Sequence, residues 1–177
     1  MNSGFTGTGV GAAKQADILL AVVDRLRSEI TEFDSDTLCY ITNVPWPGIE
    51  VTDNLFCTVC PASDSFDLGS PIGAGENLII ENSRVQVSIW SRLLLDEAEH
   101  AEIALTDSER GLLTMKQKVL AALAGRQLFA DPPDNTVPLL IEYLKPTDSQ
   151  HPAPGSAPDD FSSCSLTFAA SFYWDLS

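Results

Sequence analysis

Basic residues are scarce in this sequence. Of its 177 residues only 10 are Lys or Arg, against 25 Asp or Glu, and the formal net charge is −15. A surface with this balance repels phosphate backbones and anionic lipid headgroups. The composition therefore argues against a protein that holds nucleic acid or docks on an anionic membrane. It is compatible with simple solubility, or with a surface that lies near a polyanion without binding it.

Apolar targeting and membrane segments are also missing. Residues 1–11 carry neither the basic nor the apolar region of a secretory signal, and no uncharged apolar run is long enough to cross a membrane. We therefore expect a cytoplasmic chain whose four cysteines are reduced thiols. Cys57 and Cys60 form a CxxC inside an apolar run, without further ligands nearby in sequence. We predict that they belong to a strand or the core rather than to a metal or redox site.

Reactive constellations are not apparent. The sequence has two histidines: His100 in a charged run and His151 in a Pro-rich segment, neither of which suggests an oriented base. It contains no GxSxG, HExxH or Walker motif, and no acidic pair flanked by the aromatic residues of a sugar cleft. We therefore predict no catalytic, cofactor or metal site, and a protein that is not an enzyme.

Two amphipathic helices are the clearest elements that are present. The first is predicted over residues 13–31, and the second runs from a capping box at Thr106 and Glu109 to Gly125. Each has an apolar stripe at helical spacing. The stripes are Ile18, Leu19, Val22, Val23, Leu26 and Ile30, and Leu112, Met115, Val119 and Leu123, the latter widened by Leu113 and Leu120.

Strands account for most of the remaining apolar residues. Residues 165–174 alternate strictly, with Leu166, Phe168, Ala170, Phe172 and Trp174 on one side, so the chain is expected to close its sheet with a C-terminal strand over residues 161–174. Further strands are predicted at residues 38–41, 55–60, 77–92 and 137–144. Because strands and helices do not alternate regularly, we predict an α+β fold: a mostly antiparallel sheet with two amphipathic helices on one face.

Domain organisation follows from composition. Residues 1–13 are rich in Gly and Thr and are predicted to be a flexible segment, and residues 14–177 a single domain. The polar stretches 61–75 and 146–160 are predicted to be long loops, and the acidic residues 96–104 a short helix or crossing segment.

Three stretches together resemble the tail terminator (tail-completion) proteins of long-tailed bacteriophages and related tail-like particles. They are residues 85–92 (VQVSIWSR) followed by Asp96 and Ala98, residues 111–125 with the pattern GLL..K..VL.AL.G, and residues 168–176 (FAASFYWDL). The similarity covers roughly residues 77–176, with the first helix in the expected position. Residues 32–75 depart from the compact members of this family.

This resemblance implies a structural protein of the virion, present in the host cytoplasm during assembly. Such subunits form a ring, expected to be a hexamer, that caps the head-proximal end of the tail tube and stops its polymerisation. Its partners would be the tail tube protein and a head-completion or stopper protein, and an acidic lumen would let DNA pass without specific binding. As interface anchors we predict Trp46, Phe66, Arg84, Trp90 and Arg92. For Trp46 and Trp90, ordinary core packing is the competing role.

Two other functions remain open. The first is a different ring of the neck, the region that joins head and tail, such as a head-completion or stopper protein. The second is a monomeric cytoplasmic module whose acidic surface recognises a basic protein. A ring would distinguish the terminator from the monomeric module, and two helices on a multistranded sheet argue against the small barrels or helical bundles of stopper proteins.

Overall fold

A computed structural model describes residues 15–46, 53–67, 78–92, 106–129, 136, 138–140, 142–151 and 161–175. Two α-helices are described in these ranges: α1, Gln15–Glu29, and α2, Leu112–Leu123. A single 3₁₀ turn, Thr31–Phe33, follows α1. The described strands are β1, Cys39–Ile41; β2, Leu55–Asp67; β3, Leu78–Arg92; β4, Lys145–Gln150; and β5, Phe161–Asp175.

The five strands form one sheet in the order β1-β2-β3-β5-β4. Only the β1–β2 pair is parallel, and the other three pairs are antiparallel. β3 and β5 pair over their whole length, from Leu78 opposite Asp175 to Arg92 opposite Phe161. The prediction of an α+β fold with a mostly antiparallel sheet is therefore confirmed.

Both helices cover the same face of the sheet. Their buried residues share one apolar core with alternate residues of the strands, among them Val87 and Ile89 of β3 and Leu166 and Phe168 of β5. The helices contact each other near their C-terminal halves, where Arg25 Nε donates to the Ala122 carbonyl at 2.7 Å. The predicted arrangement of two amphipathic helices on one face is confirmed.

The alternation of the last strand also agrees with the structure. Leu166, Phe168, Ala170 and Phe172 are all buried, and each has 1% of its surface exposed or less. The side chain of Trp174 lies outside the described residues. A strand with one wholly apolar face must lie over the core, and β5 does so as the neighbour of β3.

The predicted loop at residues 61–75 is wrong over its first part. β2 does not end at Cys60 but continues to Asp67, pairing with β3 as far as Ile80, with a register shift between Pro61 and Ser63. The shift accommodates a proline, which has no N–H for the ladder. The polar residues that suggested a loop form a strand because β3 is long enough to pair with them.

The strand predicted at residues 137–144 is also wrong. Its described residues form only an isolated bridge, between Pro138 and Phe129, and the strand, β4, begins at Lys145. β4 therefore occupies the first residues of the predicted loop 146–160. All six of its residues are exposed. Because an edge strand with both faces in solvent needs no apolar alternation, its sequence resembles that of a loop.

The start of α2 differs from the predicted capping box. The helix begins at Leu112, and its N-cap residue Gly111 makes no side-chain cap. The Asp107 carboxylate, not Thr106, accepts the Glu109 and Arg110 amides, at 2.9 and 2.6 Å. Gly125 ends the helix as predicted, with a φ of +69°.

Several predictions fall outside the described residues. They concern the flexible segment 1–13, the acidic stretch 96–104, and the remainder of the two predicted loops, residues 68–75 and 152–160. Neither described helix combines the length and the hydropathy needed to cross a membrane.

Candidate interaction surfaces

An aromatic cluster lies on the sheet face opposite the helices. Trp90 of β3, Phe56 of β2 and Phe161 of β5 are buried there, and Tyr40 and Trp46 pack against them. The Trp46 ring lies edge-on to Trp90, with centroids 4.9 Å apart, and 5.2 Å from Phe161. Neighbouring strands supply these rings at the same level of the sheet, since Phe56 and Trp90 are register partners. Such edge and tilted geometries favour aromatic packing.

Trp90 is the centre of this cluster. Its side chain is fully buried, and its indole Nε1 donates to the Thr58 hydroxyl at 3.0 Å. Thr58 in turn donates to the Pro45 carbonyl at 2.6 Å, which holds the segment carrying Trp46 onto the sheet. A fully buried indole with its N–H satisfied serves the packing of the chain itself, which is the competing role named for Trp90 above.

Arg92 joins the same cluster at its rim. Its guanidinium lies over the Phe161 ring, 5.0 Å from the centroid. Arg92 also lines an open cleft of about 410 Å³ together with Glu32, Asp53 and Arg110. Three of the five predicted interface residues are thus brought together by the fold. Trp46 and Arg92, which are partly exposed, form the solvent-accessible side of the aromatic cluster.

The other two predicted residues lie elsewhere. Arg84 is exposed on β3, opposite Ser63 and Ala169. Phe66 is paired with Glu81 through its backbone, and its side chain lies outside the described residues. Arg84 is separated from Trp90 by six positions of an extended strand, about 20 Å. Arg84 therefore does not belong to the surface formed by the aromatic cluster.

A groove along the outer side of α1 was not anticipated from the sequence. It encloses about 620 Å³ between α1 and the segment that follows α2. Leu20 stands in it with 53% of its surface exposed. We call it the α1 groove, and its lining is Asp17, Leu20, Ala21, Asp24, Arg25, Ser28, Gln127, Leu128, Phe129 and Leu139.

The α1 groove combines an apolar floor with carboxylates. Asp17 and Asp24 lie one helical turn before and after Leu20. The Arg25 guanidinium also lines the groove, but it bonds the Ala122 carbonyl and lies 3.4 Å from Glu29. The signal in the sequence was a leucine standing one position outside the buried stripe, with Asp17 and Asp24 one helical turn away on either side.

The outer side of α2 carries a second exposed apolar residue. Leu113, predicted to widen the buried stripe, is instead 45% exposed. It shares the outer side with exposed Arg110 and Gln117, and half-buried Lys116 follows three positions later. We call these four residues the α2 ridge. The helix starts only at Leu112, so Leu113 lies in its first turn and rotates away from the core.

A thiol and an imidazole are brought together by the pairing of β4 with β5. Gln150 pairs with Ser165, so the next residue, His151, comes opposite Cys164, and its Nε2 lies 3.2 Å from the Cys164 sulfur. Sequence reasoning missed this contact because it placed His151 in a loop. Burial lowers the pKa of His151, and the nearby Lys116 charge lowers that pKa further.

This pair does not have the properties of a reactive dyad. Cys164 is fully buried, and burial raises the pKa of its thiol, against smaller lowering effects of Lys116 and Ser149. A nucleophilic cysteine needs a lowered pKa and access to solvent. The contact therefore serves to fasten the end of β4 to β5.

The other three cysteines are also buried, and no disulfide joins them. Cys39 and Cys57 are register partners on the helix face, whereas Cys60 lies three positions further along β2, on the opposite face. Burial raises the pKa of Cys60 to about 11. The predicted core or strand role of the CxxC is confirmed, and among the described residues no group of metal-binding side chains is found.

Both edges of the sheet carry features that hinder further strand pairing. On β1, the Cys39 carbonyl accepts two bonds from the Arg27 guanidinium, at 2.9 and 2.5 Å. On β4, Pro146 lacks an N–H, and the register shifts between Pro146 and Asp148. These are devices that sheet proteins use at exposed edges. Contacts with other chains are therefore expected to use side-chain surfaces rather than a continued sheet.

Comparison of the chain with protein-family models gives no match, and comparison with curated protein sequences gives none either.

Proposed function

We propose that this protein is a tail terminator: a structural virion protein that caps the head-proximal end of a phage tail tube, stops its polymerisation and forms the surface that joins the head. It would act as a ring, expected to be a hexamer, between the tube protein and a neck protein. It would have no catalytic activity.

The observation that carries this proposal is the contiguity of the three stretches that resemble the terminator family. They belong to β3, α2 and β5, and the two strand stretches meet where Val85 pairs with Phe168. β3 and β5 pair along their entire length, and α2 packs on both. Stretches that lie up to ninety residues apart in sequence therefore form one structural unit, as a shared fold requires and a chance similarity does not.

The charge of the chain supports the same function. A ring on the tail tube encloses the path of the DNA, and a net charge of −15 per subunit repels phosphates instead of neutralising them. DNA would pass such a lumen without being retained. The described part of the chain offers no accessible thiol or oriented base that would favour an enzyme instead.

The test is the oligomeric state of the purified protein, alone and with the tail tube protein of the same particle. Light scattering after size exclusion gives the mass, and negative-stain images give the symmetry. We expect a six-fold ring, formed either spontaneously or on addition of tube protein, and tubes that stop growing when it is present. A monomer that leaves tube growth unchanged would contradict the proposal and favour the acidic binding module.

A further inference from the structure

Two leucines are exposed on the outer sides of the helices, in surroundings of opposite charge. Leu20 of α1 is 53% exposed, with Asp17 and Asp24 one turn away on either side. Leu113 of α2 is 45% exposed, with Arg110 three positions before it and Lys116 three positions after it. Each surface thus offers an apolar centre. Two carboxylates and Arg25 surround the first, and two basic side chains and Glu109 surround the second, so the two surfaces differ in the sign of their net charge.

The two surfaces lie at opposite ends of the helix layer. Arg25 contacts Ala122, and Glu32, just after α1, contacts Lys118 at 2.5 Å. The two helices are therefore antiparallel. Leu20 lies five residues before Arg25 on α1. Leu113 lies nine residues before Ala122 on α2, and so at the other end of the antiparallel pair. At a rise of 1.5 Å per residue, they are about 20 Å apart along the helices. One copy of the chain cannot bring them together.

We propose that the α1 groove of one subunit receives the α2 ridge of the next, with Leu113 entering the groove beside Leu20 and Arg110 facing Asp17 and Asp24. The inference rests on the proposed ring and deepens it by naming the subunit contact. Because two different surfaces meet, the contact is head-to-tail, the kind that closes into a ring when the rotation per subunit permits.

A second copy is the occupant that charge favours. The chain has few basic residues, yet two of the 10 flank the exposed Leu113, whereas carboxylates flank Leu20. The groove volume of about 620 Å³ is larger than a leucine side chain. The hindered sheet edges leave such side-chain surfaces as the route for association.

The test uses Leu20→Glu and Leu113→Glu, with Val44→Glu as the matched control, because Val44 is 54% exposed and belongs to neither surface. Wild-type protein and each variant are compared by light scattering after size exclusion, with tube protein present if the wild type requires it. We expect each leucine variant to weaken association at least about tenfold, and the control to assemble like the wild type.

Mixing the two leucine variants provides the sharper result. Leu20→Glu retains its ridge and Leu113→Glu retains its groove, so one intact contact can form per pair. The other two surfaces both carry the added glutamate and repel each other. A head-to-tail contact therefore predicts that the equimolar mixture stops at a dimer, whereas each variant alone stays monomeric.

If circular dichroism shows that a leucine variant is misfolded, a charge exchange provides a second test. Asp24→Arg and Arg110→Asp should each weaken assembly, and the double variant should recover it. If all these variants assembled into rings as readily as the wild type, the inference would be overturned and the proposed function would remain intact. A wild type that remains monomeric even with tube protein would overturn both.

Discussion

At the scale of single residues, a few buried polar contacts connect parts of the chain that are far apart in sequence. Trp90, Thr58 and the Pro45 carbonyl form one hydrogen-bonded series that fixes the segment carrying Trp46. The Glu32 carboxylate and the Lys118 ammonium, 2.5 Å apart, connect the end of α1 with α2. The first contact is buried, and in the second Glu32 is 14% and Lys118 35% exposed, so removal of either contact should be measurable.

Trp90→Phe should destabilise the protein by about 2 kcal/mol, since it removes ring volume from a fully buried site and deprives the Thr58 hydroxyl of its donor. The free energy of unfolding in urea, followed by circular dichroism, measures this loss. Trp46→Phe, at a partly exposed site, is the control and should cost less than about 1 kcal/mol. Equal losses of unfolding free energy in the two variants would show that the burial of Trp90 does not make it more important for stability than Trp46.

Glu32→Gln should cost about 1 kcal/mol at neutral pH, because Glu32 is only 14% exposed and its carboxylate accepts from Lys118. The bond from Lys118 lowers the pKa of Glu32, against the effect of burial. A carboxyl with a lowered folded pKa stabilises the fold above its unfolded pKa, about 4.3, and this stabilisation is lost as the pH falls through the folded pKa.

The difference in unfolding free energy between wild type and Glu32→Gln should therefore shrink as the pH is lowered from 7 towards 3. Urea titrations at several pH values measure it. Glu29→Gln is the control: Glu29 is 52% exposed and 3.4 Å from Arg25, so the change should stay within about 0.3 kcal/mol. A difference that grows in acid would refute the assigned role of Glu32.

At the scale of elements, helix ends are set by backbone conformation as much as by side chains. Gly125 ends α2 with a φ of +69°, and its N–H donates to the Leu144 carbonyl at 2.9 Å. The turn thereby directs the chain from α2 back along the segment that leads into β4. The site has room for a side chain, since nothing lies within 4 Å of a Cβ built on Gly125.

Gly125→Ala should consequently destabilise the protein by about 1 kcal/mol through backbone conformation alone. Gly125→Asn should cost less, because asparagine tolerates the left-handed region better than alanine does. Thermal or urea unfolding of the two variants measures the difference. An alanine variant as stable as the wild type would mean that this turn does not require a positive φ.

The elements also show which parts of the fold the sequence could predict. The interior strand β5 and the buried stripes of both helices were predictable, because burial of one face imposes a period that the residues reveal. The far half of β2 and the edge strand β4 were not, since their pairing depends on a partner strand and their side chains face solvent. Leu113 was assigned to the core because its spacing alone does not show where α2 begins.

The candidate surfaces were predictable to a lesser degree. Trp46, Trp90 and Arg92 were predicted as interface residues. Trp90 and Arg92 share one face of β3, and the segment after β1 brings Trp46 onto that face. The α1 groove and the contact of His151 with Cys164 depend on how the segments after α2 and β4 return to the body of the protein. Such long-range geometry leaves no local pattern in the sequence.

At the scale of the whole molecule, one core under two helices holds the sheet together without cross-links. The four cysteines contribute as buried thiols, each with 1% or less of its surface exposed. Burial also raises the pKa of Cys60 to about 11 and that of Cys57 well above its usual range. The protein should therefore be insensitive to thiol reagents while it remains folded.

A thiol-reactive chromophore at pH 8 tests this expectation. We expect slow labelling of the native protein and rapid labelling of four thiols per chain in guanidinium, because labelling of buried thiols requires opening of the structure. Cys164→Ser should reduce the unfolded count to three. Rapid native labelling that disappears in Cys164→Ser would show that the pair with His151 is accessible after all.

The hindered sheet edges have a consequence for the behaviour of this protein at high concentration. Open strand edges convert folded or partly folded chains into amyloid-like aggregates once their concentration rises. Here Arg27 occupies a carbonyl on one edge, while Pro146 and a register shift interrupt the other. We therefore expect the folded protein to resist strand-by-strand aggregation at high concentration, because both described edges of the sheet are interrupted.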